Sequence, residues 1–145
     1  MRFSKQMMTL TVLSVLVSSA AIVQASDACK NVQFKVTNKH NSGGTIELHQ
    51  IKYFNKANGE WKTDDLKDSD CKQGKTCLTN PENLRDAEGE DLTKFRFIYR
   101  YKGTHASDNW SDYVEGGDKT PDNPTCFANK VYGPGDTGWT IFGTD

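Results

Sequence analysis

Beyond residue 25, the chain alternates apolar and polar side chains wherever it shows any period at all. Val32, Phe34 and Val36 fall on one side and Asn31, Gln33 and Lys35 on the other, which is the two-residue repeat of a half-buried strand. The polar stretch from Thr37 to Gly44 reads as a loop. In the next run, Thr45 to Phe54, Ile46 and Leu48 hold one phase and Ile51 and Tyr53 the other. The facing set therefore switches between His49 and Gln50, and a β-bulge there reconciles the two halves. Asn58-Gly59 follows and predicts a hairpin with a type I′ turn, which would bring Tyr53 or Phe54 close to Trp61.

From Thr63 to Glu90 the sequence is polar, with Leu66, Leu78, Leu84 and Ala87 as scarce apolar anchors, and it reads as loop with at most one helical turn. Thr93 to Lys102 is the clearest strand: Phe95, Phe97, Tyr99 and Tyr101 point one way, and Lys94, Arg96, Arg100 and Lys102 the other. Residues 104–125 read as a long decorated connection with a short strand near Trp110. Phe127 to Tyr132 and Trp139 to Phe142 then predict two closing strands around Gly133-Pro134-Gly135-Asp136. Short strands at this spacing, separated by turn signals, predict an all-β fold: a single-domain antiparallel β-sandwich with long loops over residues 26–145.

The first 25 residues depart from this pattern. Arg2 and Lys5 precede an apolar run from Met7 to Val23, and Val23-Gln24-Ala25 places small residues where a signal peptidase needs them, so residues 1–25 read as a signal peptide cleaved near Ala25. Thr9, Thr11 and Ser14 interrupt the run, which falls short of the roughly 18 clean apolar residues of a spanning helix. No transmembrane span is expected in the mature chain, and a secreted destination, periplasmic or extracellular, follows. The leader carries two of the 18 basic residues and none of the 19 acidic ones, leaving 16 against 19. With a net charge of −3 and no basic patch, nucleic acid is not an expected partner.

Four cysteines in a short exported chain predict two disulfides. Three pairings are possible. The favoured one joins Cys71 to Cys77 around Lys72-Gln73-Gly74-Lys75-Thr76, and Cys29 to Cys126 across most of the domain. On the chain-entropy account the short loop contributes about 2–3 kcal/mol and the long one about 4–5. No C-x-x-C pair favours zinc, so no metal or other cofactor is expected.

Candidate chemistry is sparse. His40, His49 and His105 stand in no ligand spacing. Glu47 and His49 would share one side of a strand if the alternation held, and they are the basis for an alternative reading as a small secreted hydrolase, although no catalytic signature accompanies them. Asp64, Asp65, Asp68 and Asp70 crowd one loop and Asp86, Glu88, Glu90 and Asp91 another. Neither follows the alternate-position pattern of a calcium loop, and Lys62, Lys67, Lys72 and Lys75 neutralise the first, so solvated loops are expected. Fourteen aromatic residues follow the leader, more than a modest core needs. Trp61, Trp110, Tyr113 and Trp139 lie near turns, where a ring can stack on a sugar or sit at a bilayer interface; filling the ends of the sandwich is the competing role. Asn109-Trp110-Ser111 is a glycosylation sequon.

Val36-Thr37-Asn38 at a strand end, an I-x-L strand, a hairpin carrying Trp61, and Asp86-Ala87-Glu88-Gly89 before an aromatic strand resemble the aegerolysins. That resemblance implies a small β-sandwich able to bind lipid membranes, with no site residue carried over. The expectation is therefore a secreted, non-enzymatic binding module that recognises an extracytoplasmic glycan or protein partner through Trp61, Trp110, Tyr113 and Trp139. A lipid surface is one alternative. Another is inhibition of a secreted or periplasmic hydrolase by the disulfide-pinned loop, whose tip Gln73-Gly74-Lys75 would then be exposed.

Overall fold

The computed structural model describes residues 29–56, 58–87 and 92–143. The proposed leader, and Glu88, Glu90 and Asp91 of the second acidic cluster, lie outside the described residues. The period-two runs form strands packed as two sheets. In chain order these are β1 (Gln33–Asn38), β2 (Thr45–Asn55), β3 (Glu60–Lys72), β4 (Thr76–Leu78), β5 (Phe95–Tyr101), β6 (Val114–Glu115), β7 (Val131–Tyr132) and β8 (Trp139–Ile141), with one 3-10 turn at Arg85–Ala87.

In the first sheet β1 is central. It pairs antiparallel with β4 on one edge, and in parallel with both β7 and β8 on the other. This sheet is thus mixed, while the second runs β3-β2-β5-β6 with every pairing antiparallel. β7 and β8 act as one interrupted strand, with residues 133–138 looping out beside Lys35, whose Nζ donates to Gly135 O at 3.1 Å. Gly138 permits the interruption: at φ +65° its Cα lies so near β1 that a Cβ would stand 2.0 Å from Lys35 O.

The expected bulge in β2 is present. Leu48 pairs with Tyr99 and Gln50 with Ile98, so His49 is the extra residue against β5. Against β3 the break is larger, since Leu48 pairs with Ser69 and Gln50 with Asp65, leaving Leu66, Lys67 and Asp68 opposite His49 alone. Lys67 and Asp68 both take positive φ, 54° and 49°. This irregularity explains why residues 63–72, read from sequence as loop, are strand. Their inward residues Leu66, Ser69 and Cys71 are spaced three and then two apart, so no alternation shows.

Smaller differences have local causes. The hairpin between Asn55 and Glu60 closes by Gly59 N donating to Asn55 O at 2.9 Å. Gly59 takes positive φ, and Asn55 rather than a nearer residue pairs with Glu60, so the turn is not the two-residue type I′ form. Phe54 and Trp61 still pair across it, rings 5.7 Å apart and edge-on. The strand expected at Phe127 begins only at Val131, and the one near Trp110 falls at Val114.

The core between the sheets is aromatic. Phe34 of β1 packs on Phe95 (5.3 Å) and Phe97 (5.8 Å) of β5 and stacks on Tyr132 of β7 (5.6 Å). Trp139 meets Phe95 edge-on at 4.5 Å. Each such ring contributes about 1.5–3 kcal/mol by burial, and edge-to-face pairing adds about 0.5–1.5 more. Both expected disulfides are formed, Cys29–Cys126 over 97 positions and Cys71–Cys77 over 6. The short one pins the link from β3 in one sheet to β4 in the other.

Gly138→Ala places a Cβ against the Lys35 carbonyl in a left-handed conformation. Urea unfolding of this variant is expected to show a loss of about 2 kcal/mol or more.

Candidate ligand-binding face

The outer face of the second sheet collects the polar halves of its alternating strands. On β5, Phe95, Phe97 and Tyr99 are buried inward, which turns Arg96, Ile98 and Arg100 outward, with Lys102 just beyond. Cross-strand register aligns these with β2 and β3 in rows: Arg96 with Lys52 and Thr63, Ile98 with Gln50 and Asp65, and Arg100 with Glu47 and Asp70. Past the strand end, Lys102 N donates to Thr45 O at 3.0 Å, and Thr45 pairs with Lys72.

The long connection after β5 folds back over this surface. Ser111 N donates to Tyr101 O at 2.8 Å, and Ser111 Oγ accepts from Tyr101 N at 3.0 Å. So anchored, Trp110 and Tyr113 have strand cations over their rings: the Arg100 guanidinium is 4.9 Å from the Trp110 ring centre and 5.2 Å from that of Tyr113, and the Lys102 ammonium is 4.7 Å from Trp110. Toward the other end of the face, Arg96 sits 4.4 Å over Trp61. Three of the four expected aromatics thus share one face, each under a cation. Trp139 does not join them. It follows Gly138 into β8, pairs with Val36 and faces the opposing sheet, 8% exposed, so it is a core residue.

Most of the charge on this face is internally matched. Arg100 Nε donates to Glu47 Oε1 at 2.6 Å, Arg96 binds Glu115 at 2.6 Å and also Asp118, and Lys52 reaches Glu115 at 2.7 Å. These bonds hold both guanidinium groups above the usual arginine value, and hydrogen bonds from Lys52 and Arg96 hold the Glu115 carboxyl below its ordinary range. Asp70 is different. Burial, and then the charge of Glu47 opposite it, push its carboxyl up; like charges facing across a ladder oppose pairing.

Glu47 and His49 are not partners. Glu47 is engaged by Arg100, whereas the bulge sends His49 to Asp68 (Nδ1 to Oδ1, 2.7 Å) and stacks it on Tyr113 at 4.4 Å. His105 lies elsewhere, in a shallow basin at the end of the face. Among the described residues no cluster of three or more acidic, histidine or cysteine side chains could hold a metal.

Arg96, Arg100, Lys102, Asp68 and Asp70 were not singled out as site residues from sequence. The signal for the cations was present, in the row Lys94, Arg96, Arg100, Lys102 opposite the aromatic half of β5. Asp68 gave none, because only the bulge brings it to His49.

The turn before β2 supports one end of this face. Asn38, fully buried, donates from Nδ2 to Gly44 O (3.0 Å) and Cys71 O (2.8 Å), while its backbone accepts from Gly74 N and donates to Lys75 O. His40, also buried, accepts Ser42 N at Nδ1 (3.1 Å) and lies 4.0 Å from the Tyr101 ring. Desolvation lowers its basicity.

Comparison with models of known protein families, with curated proteins and with solved structures finds no match to this chain. The resemblance to the aegerolysins therefore rests on the motifs quoted for it.

Two pH dependences follow. Asp70 titrates in the folded protein above its unfolded value of 3.8, so its ionised form opposes folding at neutral pH and the penalty vanishes as pH falls through that range. Thermal melts of Asp70→Asn are expected to show a higher midpoint than wild type near pH 7 and no difference near pH 3. His40, with its folded value below 6.5, has the opposite sign: its contribution is complete above 6.5 and is lost on acidification. His40→Phe should show a shallower loss of midpoint than wild type between about pH 7 and pH 5.

Proposed function

We propose that the protein is a secreted, non-enzymatic binding domain that lays a polysaccharide across the outer face of its second sheet. The observation that carries this reading is the alignment of Trp61, Trp110 and Tyr113 on one face, held under Arg96, Arg100 and Lys102. An aromatic ring presents an apolar body to the C–H face of a sugar, and ion-paired side chains beside it offer fixed donors and acceptors to hydroxyls. The leader-like first 25 residues and the two disulfides support an extracytoplasmic setting.

The charge pattern favours this ligand over a lipid surface. The guanidinium groups are already matched by Glu47, Glu115 and Asp118, so they orient hydrogen bonds rather than attract an anionic membrane. An inserting tip would need clustered exposed apolar side chains, yet among the described residues the other strongly exposed large ones, Leu78, Phe127, Val131 and Phe142, lie on other segments than Tyr113. Glu47 and His49 are each committed to a different partner, which leaves the hydrolase reading without a base and acid facing one another.

Affinity electrophoresis of the mature protein through gels containing soluble polysaccharides, with tryptophan emission as a second readout, tests the proposal. Retardation by at least one polymer with a blue shift is expected. Trp110→Ala and Tyr113→Ala should each weaken binding about 10-fold, equivalent to about 1.4 kcal/mol, while Leu78→Ala on the first sheet should leave it unchanged. Migration unaltered by every polymer, or equal loss in Leu78→Ala, would overturn it.

A further inference from the structure

Charge matching stops at one end of the face. Lys52, Arg96 and Arg100 each hold a carboxylate. Lys72 and Lys102, which flank Thr45 in the next row, have none within ion-pair distance among the described residues; the Lys102 ammonium lies 4.7 Å from the Trp110 ring centre and acts on Asp70 only at longer range. Both lysines line a shallow basin completed by Gly43, Gly44, Gln73 and the turn from Gly103 to Ala106, with exposed His105 on its rim.

The basin is built by the backbone. Gly44 approaches β5 so closely that a Cβ would lie 2.1 Å from Gly103 O and 2.2 Å from Lys102 O, and a Cβ on Gly103 would meet Asp108 Oδ2 at 2.2 Å. Its walls are fixed as well. Lys72 follows Cys71 of the short disulfide directly, and the His105 turn is closed by His105 N donating to Asp108 Oδ2 (2.9 Å) and Asp108 N to His105 O (3.0 Å). Asp108 is engaged in that turn, and Asp70 stands one row back, where the Lys102 charge partly offsets the burial and the Glu47 charge that push its carboxyl up.

We infer that this basin takes an anionic substituent, a carboxylate or a sulfate ester, of a polysaccharide stacked on the adjoining Trp110. The inference rests on the binding reading above and narrows it to acidic glycans. Two ammonium groups that form no ion pair among the described residues supply the attraction, and the contact of Lys102 with Trp110 sets the substituent one step from a stacked sugar. The remainder of the protein is net acidic, so general attraction to polyanions does not compete with this local field. Attraction at an open basin is screened by salt.

The test compares two matched pairs of polymers, polygalacturonate with its fully methyl-esterified form and dextran sulfate with dextran, at about 50 mM and 500 mM salt. Wild type should bind the charged member of one pair at least 10-fold more tightly than the neutral member at low salt, and the pair that responds identifies carboxylate or sulfate. The variant Lys72→Gln/Lys102→Gln should lose that preference while keeping any affinity for the neutral member, Lys56→Gln/Lys94→Gln should keep the preference, and Trp110→Ala should weaken both members. Equal binding within each pair, a preference surviving in Lys72→Gln/Lys102→Gln, or one lost equally in Lys56→Gln/Lys94→Gln, overturns the inference and leaves the stacking reading in place if Trp110→Ala still weakens binding. Absence of binding to all four polymers, confirmed on the wider polysaccharide panel, overturns both.

Discussion

One extra residue in β2 sets the rest of this molecule. A strand with strict alternation cannot bury Ile46, Leu48, Ile51 and Tyr53 together, because the first pair and the second differ in phase. Placing His49 outside the ladder restores both pairs to the core side and keeps Glu47, Gln50 and Lys52 on the outer side. The bulge also brings His49 to Asp68 and Tyr113, so the same device that completes the core organises the middle of the face. β3 answers with a three-residue excursion in which Leu66 is buried while Lys67 and Asp68 adopt left-handed backbone.

The two faces of the second sheet use their aromatic residues differently. Inside, Phe95 meets Phe34, Tyr132 and Trp139 edge-on, and Phe97 meets Phe34 the same way. Outside, Trp61, Trp110 and Tyr113 lie under cations that carboxylates hold in place. A guanidinium between a ring and a carboxylate has little freedom left, so the ring beneath it is oriented before any ligand arrives. Asp70, its carboxyl pushed up by burial and then by the charge of Glu47, carries a charge that works against the fold.

Much of this could be read from the chain alone. Alternation in Val32–Val36, Thr45–Phe54 and Thr93–Lys102 identified the three principal strands and hence the all-β class, because a residue whose neighbours point the other way must have one buried side. The phase switch at His49 announced the bulge. Cysteine spacing pointed to the pairing, since a six-residue separation closes readily and leaves the other two to find each other. β3 was hidden because its inward residues lose the period at the excursion and its outward ones are charged. β4 and β6 span three and two residues, too few for any period to show, whereas β7 and β8 fall within the two closing strands read at Phe127–Tyr132 and Trp139–Phe142.

The candidate site divides along the same line. Sequence alone determined which residues carry rings and charges, and that Arg96, Arg100 and Lys102 oppose an aromatic core on their own strand, because alternation is a local property of the backbone. Which of the turn-proximal aromatics reach the surface was decided only by tertiary structure. Trp139 turned inward because β8 takes its phase from β1, to which it is bonded 100 or so positions away in the chain. Trp110 and Tyr113 came onto the face because Ser111 ties their loop to Tyr101. Such contacts join segments that are distant in sequence, and no periodicity encodes them.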